Sequence, residues 1–258
     1  MCLALIALDA HAKYRCAVAA NRDEFHAREA APAHWWSEGI LAGRDLVAGG
    51  TWFGVTGAGR WSLITNFREG IPRDPNAPSR GELVTHMLRE TGSPLRSSAA
   101  LLPDAGRYHG FNLLVGQGGD AAFASNRASG ALALGAGVHG LSNHLLDTPW
   151  PKLLRGKERL AAWLADDEPA IDAAFALLAD RAPAADAALP ATGISRQWER
   201  LLSSSFIVSH EYGTRSSTVL LIARDGAARF IERSFDASGK AIGEASFDFR
   251  ADGRETSA

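Results

Sequence analysis

The chain has 258 residues, of which 46% are hydrophobic and 22% charged, so it is long enough for one large domain with a sizeable core. The formal net charge is -2, and the charges are spread along the chain. This balance excludes a field that would attract a polyanion or an anionic membrane. We therefore expect a small-molecule substrate or a hydrophobic ligand as partner, and no nucleic acid; the oligomeric state stays open.

The N-terminal segment is a short apolar run interrupted by Asp9 and His11, with no basic region before it and no apolar span of membrane length. This pattern predicts neither a secretory signal nor a membrane anchor. We accordingly expect a cytoplasmic protein without membrane insertion. The two cysteines, Cys2 and Cys16, do not make a disulfide framework in a chain of this size, and we expect both as free thiols.

The first third of the chain has the pattern of an antiparallel sheet. Short apolar runs on either side of a turn are typical of β-hairpins, and two such hairpins come first. After a proline-containing loop, Ser79 and Glu82 have the spacing of a capping box at the start of a helix. In chain order, the predicted elements are strands 2–9, 15–21, 51–55 and 61–66, loop 70–78 and helix 79–90.

The remaining sequence predicts a helical stretch between two groups of strands. Pro149 and Pro151 mark the entry to an alanine- and leucine-rich segment with room for two helices. Short glycine-containing turns separate the last strands. In chain order, the predicted elements are strands 111–116, 121–126 and 132–143, helical stretch 151–181, surface connection 182–193, strands 205–210, 216–223, 228–235 and 245–249, and a flexible tail, 251–258.

The order of strands, then helices, then strands favours an α+β fold, because strands and helices would alternate in a doubly wound α/β fold. Many of the predicted strands are apolar on both sides, as they are when both faces of a sheet are covered. We therefore predict a four-layer αββα sandwich, in which two antiparallel sheets stack face to face with helices outside. We expect residues 1–250 to form a single domain.

Cys2 is the first candidate for chemistry, because a thiolate is nucleophilic near neutral pH and a nearby arginine raises its fraction. Arg22 lies on the strand that we expect to pair with the strand of Cys2. Removal of Met1 would leave an α-amino group with a pKa of roughly 7.7–8.0, which suits a general base. The alternative is a structural role for Cys2 as a small buried residue, and Cys16, in mid-strand, fits that structural role better.

Two asparagines form a second group of candidates at strand ends, where a rigid scaffold presents side chains to a cleft. Asn66 follows Thr65, and Asn143 follows Ser142. An asparagine in such a place is either a turn former or a donor to an oxyanion, and the sequence alone leaves both roles open.

Several blocks in order resemble the NRDE family, the bacterial relatives of the eukaryotic transport and Golgi organization proteins. The resemblance covers residues 1 to about 223. It is carried by the stretches MCLALIAL, AANRDEF, GRDLVAGGTWFGVTGAGRWSLITNFRE, SRGELV, GFNLLVG, SNR, HGLSNHLLDTPWPK and EYGTRSSTVLL. No firm substrate is attached to that family, so the resemblance concerns membership more than reaction.

The same layout is more distantly similar to the cysteine N-terminal nucleophile hydrolases, which include penicillin V acylases, bile salt hydrolases and acid ceramidases. This resemblance implies Cys2 as nucleophile and Asn66 and Asn143 as oxyanion-side asparagines, with Arg215 as a looser match to a late arginine. Their run of Arg-Asn-x-Asp implies a thiolate-partner arginine and an amine-orienting aspartate, which we assign to Arg22 and Asp23.

One departure concerns that assignment, because Arg22 and Asp23 are adjacent here instead of three residues apart. Neighbours along a strand point to opposite faces, so both reach the thiol only if the chain turns there. If the register is shifted, Asn21 and Glu24 are the pair to substitute.

These resemblances imply an amidohydrolase-like protein that cleaves a C–N amide bond of a small acylated substrate after removal of Met1. The alternative is a carrier or chaperone of haem or a lipidic acyl species on the same fold. We expect no cofactor, since neither a zinc-type spacing nor a c-type haem motif is present, although haem stays open as a carried ligand. Tryptophans at 35, 36, 52 and 61 either line a hydrophobic cleft or belong to the core.

Overall fold

A computed structural model of the chain describes residues 2–71 and 74–251. Thirteen strands and five α-helices lie within these residues, together with short 3-10 helices at Leu102–Arg107 and Asp186–Ala188. The strands are β1 (Cys2–Leu8), β2 (Tyr14–Phe25), β3 (Ala30–Trp35), β4 (Ile40–Asp45), β5 (Phe53–Thr56), β6 (Trp61–Asn66), β7 (Phe111–Gln117), β8 (Asp120–Ser125), β9 (Leu132–Ala133), β10 (Gly137–Leu141), β11 (Tyr212–Ala223), β12 (Ala227–Phe235) and β13 (Ala241–Arg250). The α-helices are α1 (Gly81–Arg89), α2 (Pro94–Leu101), α3 (Pro151–Trp163), α4 (Ile171–Leu178) and α5 (Arg196–Leu201).

The strands form two antiparallel sheets. The first sheet has the order β10-β1-β2-β11-β12-β13, and the second sheet runs from β3 to β9 in sequence order. Helices α3 and α4 pack on the outer face of the first sheet, and α1 and α2 pack on the outer face of the second. The four-layer αββα sandwich predicted from the order of the elements is therefore confirmed.

The buried core explains why the first strands are apolar throughout. In β1, Ala4 and Ile6 belong to the cluster between the two sheets, whereas Leu3 and Leu5 pack on the other face against α3 and α4. Successive side chains of a strand point to opposite faces, and here both faces are covered. Cys16 is buried in the cluster between the sheets, as expected for a structural cysteine.

The strand predicted at 205–210 is wrong. Phe206 and Ile207 are buried, but their backbone amides donate elsewhere: Phe206 to the Asp180 carbonyl and Ile207 to the Thr214 hydroxyl. The segment thus closes the gap between the end of α4 and the start of β11 without joining a ladder. An apolar pair of residues was mistaken for a strand because burial alone does not distinguish the two.

The capping box predicted at Ser79 does not form. Helix α1 begins at Gly81 with no side-chain cap on Arg80, and the Glu82 carboxylate instead accepts a hydrogen bond from the Tyr108 hydroxyl. Strands β3 and β4 and helices α2 and α5 were not predicted, and the run 132–143 is divided into β9 and β10. The two helices expected within 151–181 are present.

The single domain over 1–250 remains a prediction. Its predicted tail lies, except for Ala251, outside the described residues, and so does Met1. Over the described ranges, no helix combines the length and the apolar character that crossing a bilayer requires.

Candidate active site

Cys2 and Arg22 face each other across the β1–β2 ladder, in which they are direct register partners. Opposite residues of an antiparallel pair present their side chains on the same face. The next pair on that face, Ala4 and Ala20, packs into the cluster between the sheets. The thiol and the guanidinium therefore lie together at the end of the space between the sheets, as the hairpin pattern predicted.

The Arg22 side chain is buried and held from two sides. Its guanidinium carbon lies 4.3 Å from the centroid of the Trp52 ring, and Nη2 lies 3.7 Å from Asp45 Oδ2. The same Asp45 oxygen accepts a hydrogen bond from Arg28 Nε at 2.6 Å. At Gly43, a Cβ atom would come within 2.3 Å of the Trp52 ring, so this position needs glycine for the indole to lie under Arg22.

Asp23 reaches the thiol with its backbone while its side chain lies on the opposite face. The Asp23 amide donates towards the Cys2 sulfur, which opposes the rise in the thiol pKa. The carboxylate accepts a hydrogen bond from Thr214 Oγ1 at 2.7 Å, and the Tyr212 hydroxyl donates to the Asp23 carbonyl oxygen at 2.9 Å. The adjacency of Arg22 and Asp23 is thus accommodated without a turn in the strand.

Burial in the site favours the neutral forms of both Cys2 and Asp23. Burial raises the pKa of the Cys2 thiol, the Asp23 charge raises it further, and Arg22 opposes this rise only partly. Burial also raises the pKa of the Asp23 carboxyl, against the Lys152 charge and the Thr214 hydrogen bond. A thiol with a raised pKa is protonated near pH 7, so its use as a nucleophile requires a base in contact with it.

The two asparagines have different environments. Asn66, at the end of β6, lines the same cleft as Cys2, and in the described part of the chain no hydrogen bond occupies its side-chain amide. Asn143 is fully buried: its Nδ2 donates to the Asn66 carbonyl oxygen at 2.9 Å, and its Oδ1 accepts from the Ser142 hydroxyl. Asn66 therefore presents its side chain to the cleft, whereas Asn143 holds the Asn66 backbone.

The alternative assignment, in which Asn21 and Glu24 replace Arg22 and Asp23 at the thiol, is not supported by the contacts of Asn21. Its Nδ2 donates to the carbonyl oxygens of Leu178 and Ser205, and its Oδ1 accepts from the Ser217 hydroxyl. These bonds point away from the thiol and connect β2 to α4 and to the segment before β11. Glu24 does line the cleft.

Arg215 is not brought to the thiol. A bulge in β11 falls between Thr214 and Ser216, the residues opposite Asp23 and Arg22, so Arg215 is the extra residue of the bulge. Its Nη1 donates to the carbonyl oxygens of Phe25, His26 and Arg28. Arg215 thus holds the segment that follows β2. It does not line the cleft that contains Cys2.

The cleft next to Cys2 has two compartments. A polar compartment of about 400 Å³ is lined by Cys2, Arg22 and Asn66, among others. An apolar compartment of about 260 Å³ adjoins it, and Asn66 and His109 belong to both linings. The apolar and aromatic lining of the apolar compartment consists of Phe25, Phe67, Ile71, Ile194, Trp198, Leu202 and Tyr212, and charged side chains also line it, namely Glu24, Arg68, Glu69 and Arg80. Such a site suits a ligand with a polar and a hydrophobic end.

The tryptophans singled out in the sequence divide between the cleft and the core. Trp52 lines the polar compartment, whereas Trp36 and Trp61 are buried in the core and Trp35 is exposed on β3. Trp198, which the sequence did not single out, supplies an indole to the apolar compartment.

Buried charges behind the cleft were missed in the sequence. Lys152 lies in the first turn of α3, and Arg68 forms a buried ion pair with Glu199 at 2.6 Å. Lys152 lies on the same face of α3 as Gly156 and Leu160, and this face packs against the first sheet. This spacing is the sequence signal that Lys152 is buried. The pairing of Arg68 with Glu199 has no such signal, because the two residues are far apart in the chain.

The described residues contain no group of three or more histidine, cysteine or acidic side chains arranged to hold a metal ion. Cys2 and His109 are side chains of the haem-ligand type that line the cleft. The His109 Nε2 lies 3.0 Å from the Asp74 carbonyl oxygen, so this nitrogen is directed to the backbone.

The fold is similar to that of a solved enzyme, conjugated bile acid hydrolase. Two structures of conjugated bile acid hydrolase from Clostridium perfringens, both of variants, match the chain with TM-scores of 0.55 at 10% and 9% identity. The first match covers 99% of this chain and 95% of the hydrolase, and the second covers 98% and 95%. At this level of identity the likeness is one of fold.

The chain belongs to the Transport and Golgi organisation 2 family, whose model matches residues 1–237. It is 36% identical over 241 residues to the bovine Transport and Golgi organization protein 2 homolog, which covers 86% of this chain and 87% of the relative. The Drosophila melanogaster protein is 27% identical over 261 residues, covering 91% and 92%. The resemblance stated on the NRDE motifs is thereby confirmed.

Proposed function

We propose that the protein is an amidohydrolase that uses Cys2 as nucleophile after removal of Met1. The observation that carries this proposal is the direct pairing of Cys2 with Arg22 at the cleft that Asn66 also lines. A substrate amide in the polar compartment would place its carbonyl between the sulfur and the Asn66 amide. Its acyl group would extend into the apolar compartment.

The reaction has two stages in this proposal. The α-amino nitrogen of Cys2 takes the thiol proton while the sulfur attacks the amide carbon, and the resulting oxyanion is bound by Asn66. The C–N bond then breaks, and the amine leaves with the proton held by the α-amino group, giving a thioester. Water attacks the thioester with the same amino group as base, which releases the acid and restores the thiol.

The raised pKa of the Cys2 thiol supports the need for an adjacent base. Arg22 alone does not keep the thiol ionised, and the unperturbed pKa of an α-amino group, roughly 7.7–8.0, matches the task. Asp23, on the other face of β2, would orient that amino group. If Met1 is retained, the Cys2 nitrogen is part of a peptide bond and is not a base. Whether Met1 is removed therefore decides the proposal.

The test combines intact-mass measurement with covalent labelling. We expect the purified protein to lack Met1 and to react with an electrophilic acyl probe such as a p-nitrophenyl ester of a short fatty acid. The label should be lost in Cys2→Ala and retained in Cys16→Ala. Cys16 is the matched control because it is buried in the core, and burial raises the pKa of its thiol to about 12. Retention of Met1, or equal labelling of Cys2→Ala and the unmodified protein, would contradict the proposal.

A second candidate function is carriage of a hydrophobic ligand without turnover, and the apolar compartment favours it. Its aromatic lining suits haem or a lipidic acyl species. Haemin and a fluorescent fatty acid serve as probes. For the fatty acid, carriage predicts equal affinity in Cys2→Ala and the unmodified protein, loss of affinity in Trp198→Ala, and no turnover of any amide. Loss of fatty-acid affinity on changing Cys2 alone would contradict it.

A further inference from the structure

The end of β2 extends past Cys2 and is held from one side. Strand β1 begins at Cys2, which pairs with Arg22, so in the described part of the chain residues 23–25 of β2 pair with β11 alone. The β11 ladder is irregular at this place, because its bulge falls between the residues opposite Asp23 and Arg22. A bulge disrupts the hydrogen bonds of a ladder locally. The backbone of Asp23 therefore needs a further contact to keep a fixed position.

The Tyr212 side chain supplies such a contact. Its hydroxyl donates to the Asp23 carbonyl oxygen at 2.9 Å, in addition to the 2.7 Å bond from the Thr214 hydroxyl to the Asp23 carboxylate. Tyr212 is 4% exposed, and burial raises the pKa of its hydroxyl well above the ordinary value. The hydroxyl therefore stays protonated near neutral pH. A buried tyrosine hydroxyl usually has a hydrogen-bond partner, and here that partner is the strand end next to the pair of Arg22 and Cys2.

The Tyr212 ring also belongs to the wall of the apolar compartment. It packs edge-to-face against Phe25 and Trp198, with ring centroids 5.1 Å and 5.7 Å away. Edge-to-face pairs of aromatic rings are a favourable arrangement, so this packing fixes the ring and with it the direction of the hydroxyl. A phenylalanine at this position would keep the wall and remove only the bond to β2.

We propose that Tyr212 is a positioning residue for the nucleophile: its hydroxyl holds the end of β2 and so keeps Arg22 opposite Cys2. The inference deepens the proposed function, in which Asp23 would orient the α-amino group of Cys2, and it rests on that function for its catalytic meaning. Tyr212 connects the compartment for the acyl group to the strand end that carries the reacting groups. A misplacement of about 1 Å at a reacting centre can slow a reaction by about 10²-fold, so the position of this strand end matters for the rate.

The test measures the rate of alkylation of Cys2 by iodoacetamide at pH 7, read by peptide mass spectrometry, in a Cys16→Ala background. In Tyr212→Phe, we expect the rate to fall by about threefold or more, because the guanidinium and the amide beside the sulfur are no longer held in place. Tyr14→Phe is the matched control, since Tyr14 lies at the other end of the same strand, and it should leave the rate unchanged. A rate in Tyr212→Phe equal to or above that of the Cys16→Ala parent, or no alkylation of Cys2 in either, would overturn the inference.

Two further measurements separate a positioning role from a purely structural one. A structural tyrosine predicts a lower melting temperature in Tyr212→Phe with an unchanged alkylation rate, and that result contradicts the inference. The affinity for a fluorescent fatty acid should not change, because the aromatic wall is retained; a loss of this affinity in parallel with the rate would show that the whole wall has moved and would also contradict the inference.

The proposed function and the role of Tyr212 fail separately, because alkylation does not require amide hydrolysis. Slower alkylation in Tyr212→Phe, in a protein that the acyl probe fails to label, would refute the proposed function and leave the role of Tyr212 intact. Where the acyl probe does label Cys2, we expect Tyr212→Phe to lower the maximal rate of acylation with little change in KM, since the compartment that binds the acyl group keeps its lining.

Discussion

Cys2 Sγ and the Arg22 guanidinium lie on one face of the β1–β2 hairpin because the two residues are register partners. The guanidinium is fixed by Trp52 and Asp45, so its distance from the sulfur is set by groups that do not belong to the hairpin. The hairpin brings the two groups together, and the second sheet holds the arginine in place.

Replacing Arg22 with methionine should slow alkylation of Cys2 at pH 7 by about tenfold, because a loss of one favourable charge raises the thiol pKa by about one unit. The measurement is the iodoacetamide rate at fixed pH. Arg28→Met is the control, since Arg28 also binds Asp45 but is a third exposed. Equal rates in Arg22→Met and the unmodified protein would show that Arg22 does not act on the thiol.

The two asparagines should give opposite results on substitution. Asn66→Ala should slow acylation by a small amide or ester substrate about 10²–10³-fold, with little change in stability, because in the proposed function its amide binds the oxyanion. Asn143→Ala should instead lower the free energy of unfolding by about 1–3 kcal/mol, because it leaves buried polar groups without partners. Single-turnover kinetics and urea unfolding measure the two effects, and an inverted pattern would exchange the two roles.

The buried pair of Arg68 and Glu199 should contribute strongly to stability. Glu199 Oε2 accepts from Arg68, and Oε1 accepts from the backbone and the hydroxyl of Thr192. Glu199→Gln should destabilise the protein by about 3–5 kcal/mol, since it leaves a buried guanidinium charge uncompensated. Arg200→Gln breaks an exposed pair with Asp186 and should cost far less, because solvent screens the two charges. Urea unfolding compares them, and similar losses in both variants would contradict this account.

Glu232 predicts a pH dependence of stability. It joins the two sheets by accepting from the Ala33 amide at 2.8 Å, and burial raises the pKa of its carboxyl to about 7. Between about pH 4.5 and 7 the folded state binds more protons than the unfolded state, so stability falls as pH rises through this window. The difference amounts to about 3 kcal/mol.

Urea unfolding at several pH values, in the unmodified protein and in Glu232→Gln, isolates this contribution. The glutamine variant keeps an acceptor for the Ala33 amide but does not titrate. We expect the difference in unfolding free energy between the two proteins to grow in favour of the variant up to about pH 7 and then to stay constant. A constant difference from pH 4 to 8 would refute the raised pKa.

The parts of the site that the sequence predicted are those that depend on local pairing. Short apolar runs on either side of a turn indicated the hairpin, and the hairpin fixes Cys2 opposite Arg22. Asn66 was predicted at a strand end, and its backbone does close β6 there. Local pattern is sufficient in such cases because residues close in the chain have few ways to pair.

The parts that the sequence did not predict depend on contacts between residues far apart in the chain, or on an extra residue in one strand relative to its partner strand. The acceptor of Lys152 lies 50 residues away, and the partner of Arg68 lies 131 residues away. Arg215 was assigned to the site as a loose match to a late arginine of the similar hydrolases, but one extra residue in β11 makes it a bulge. A single strand read alone does not reveal a bulge, since the irregularity exists only relative to its partner.

The short connection between β1 and β2 also bears on how the protein folds. In the first sheet, β1 also pairs with β10 and β2 also pairs with β11, both of which lie far away in the chain. In contrast, only five residues, 9–13, separate β1 from β2. Closing a short loop costs less entropy than closing a long one, so we expect this hairpin to form early. The sulfur and the guanidinium would then meet before the walls of the cleft assemble, and slow steps in folding would concern the walls.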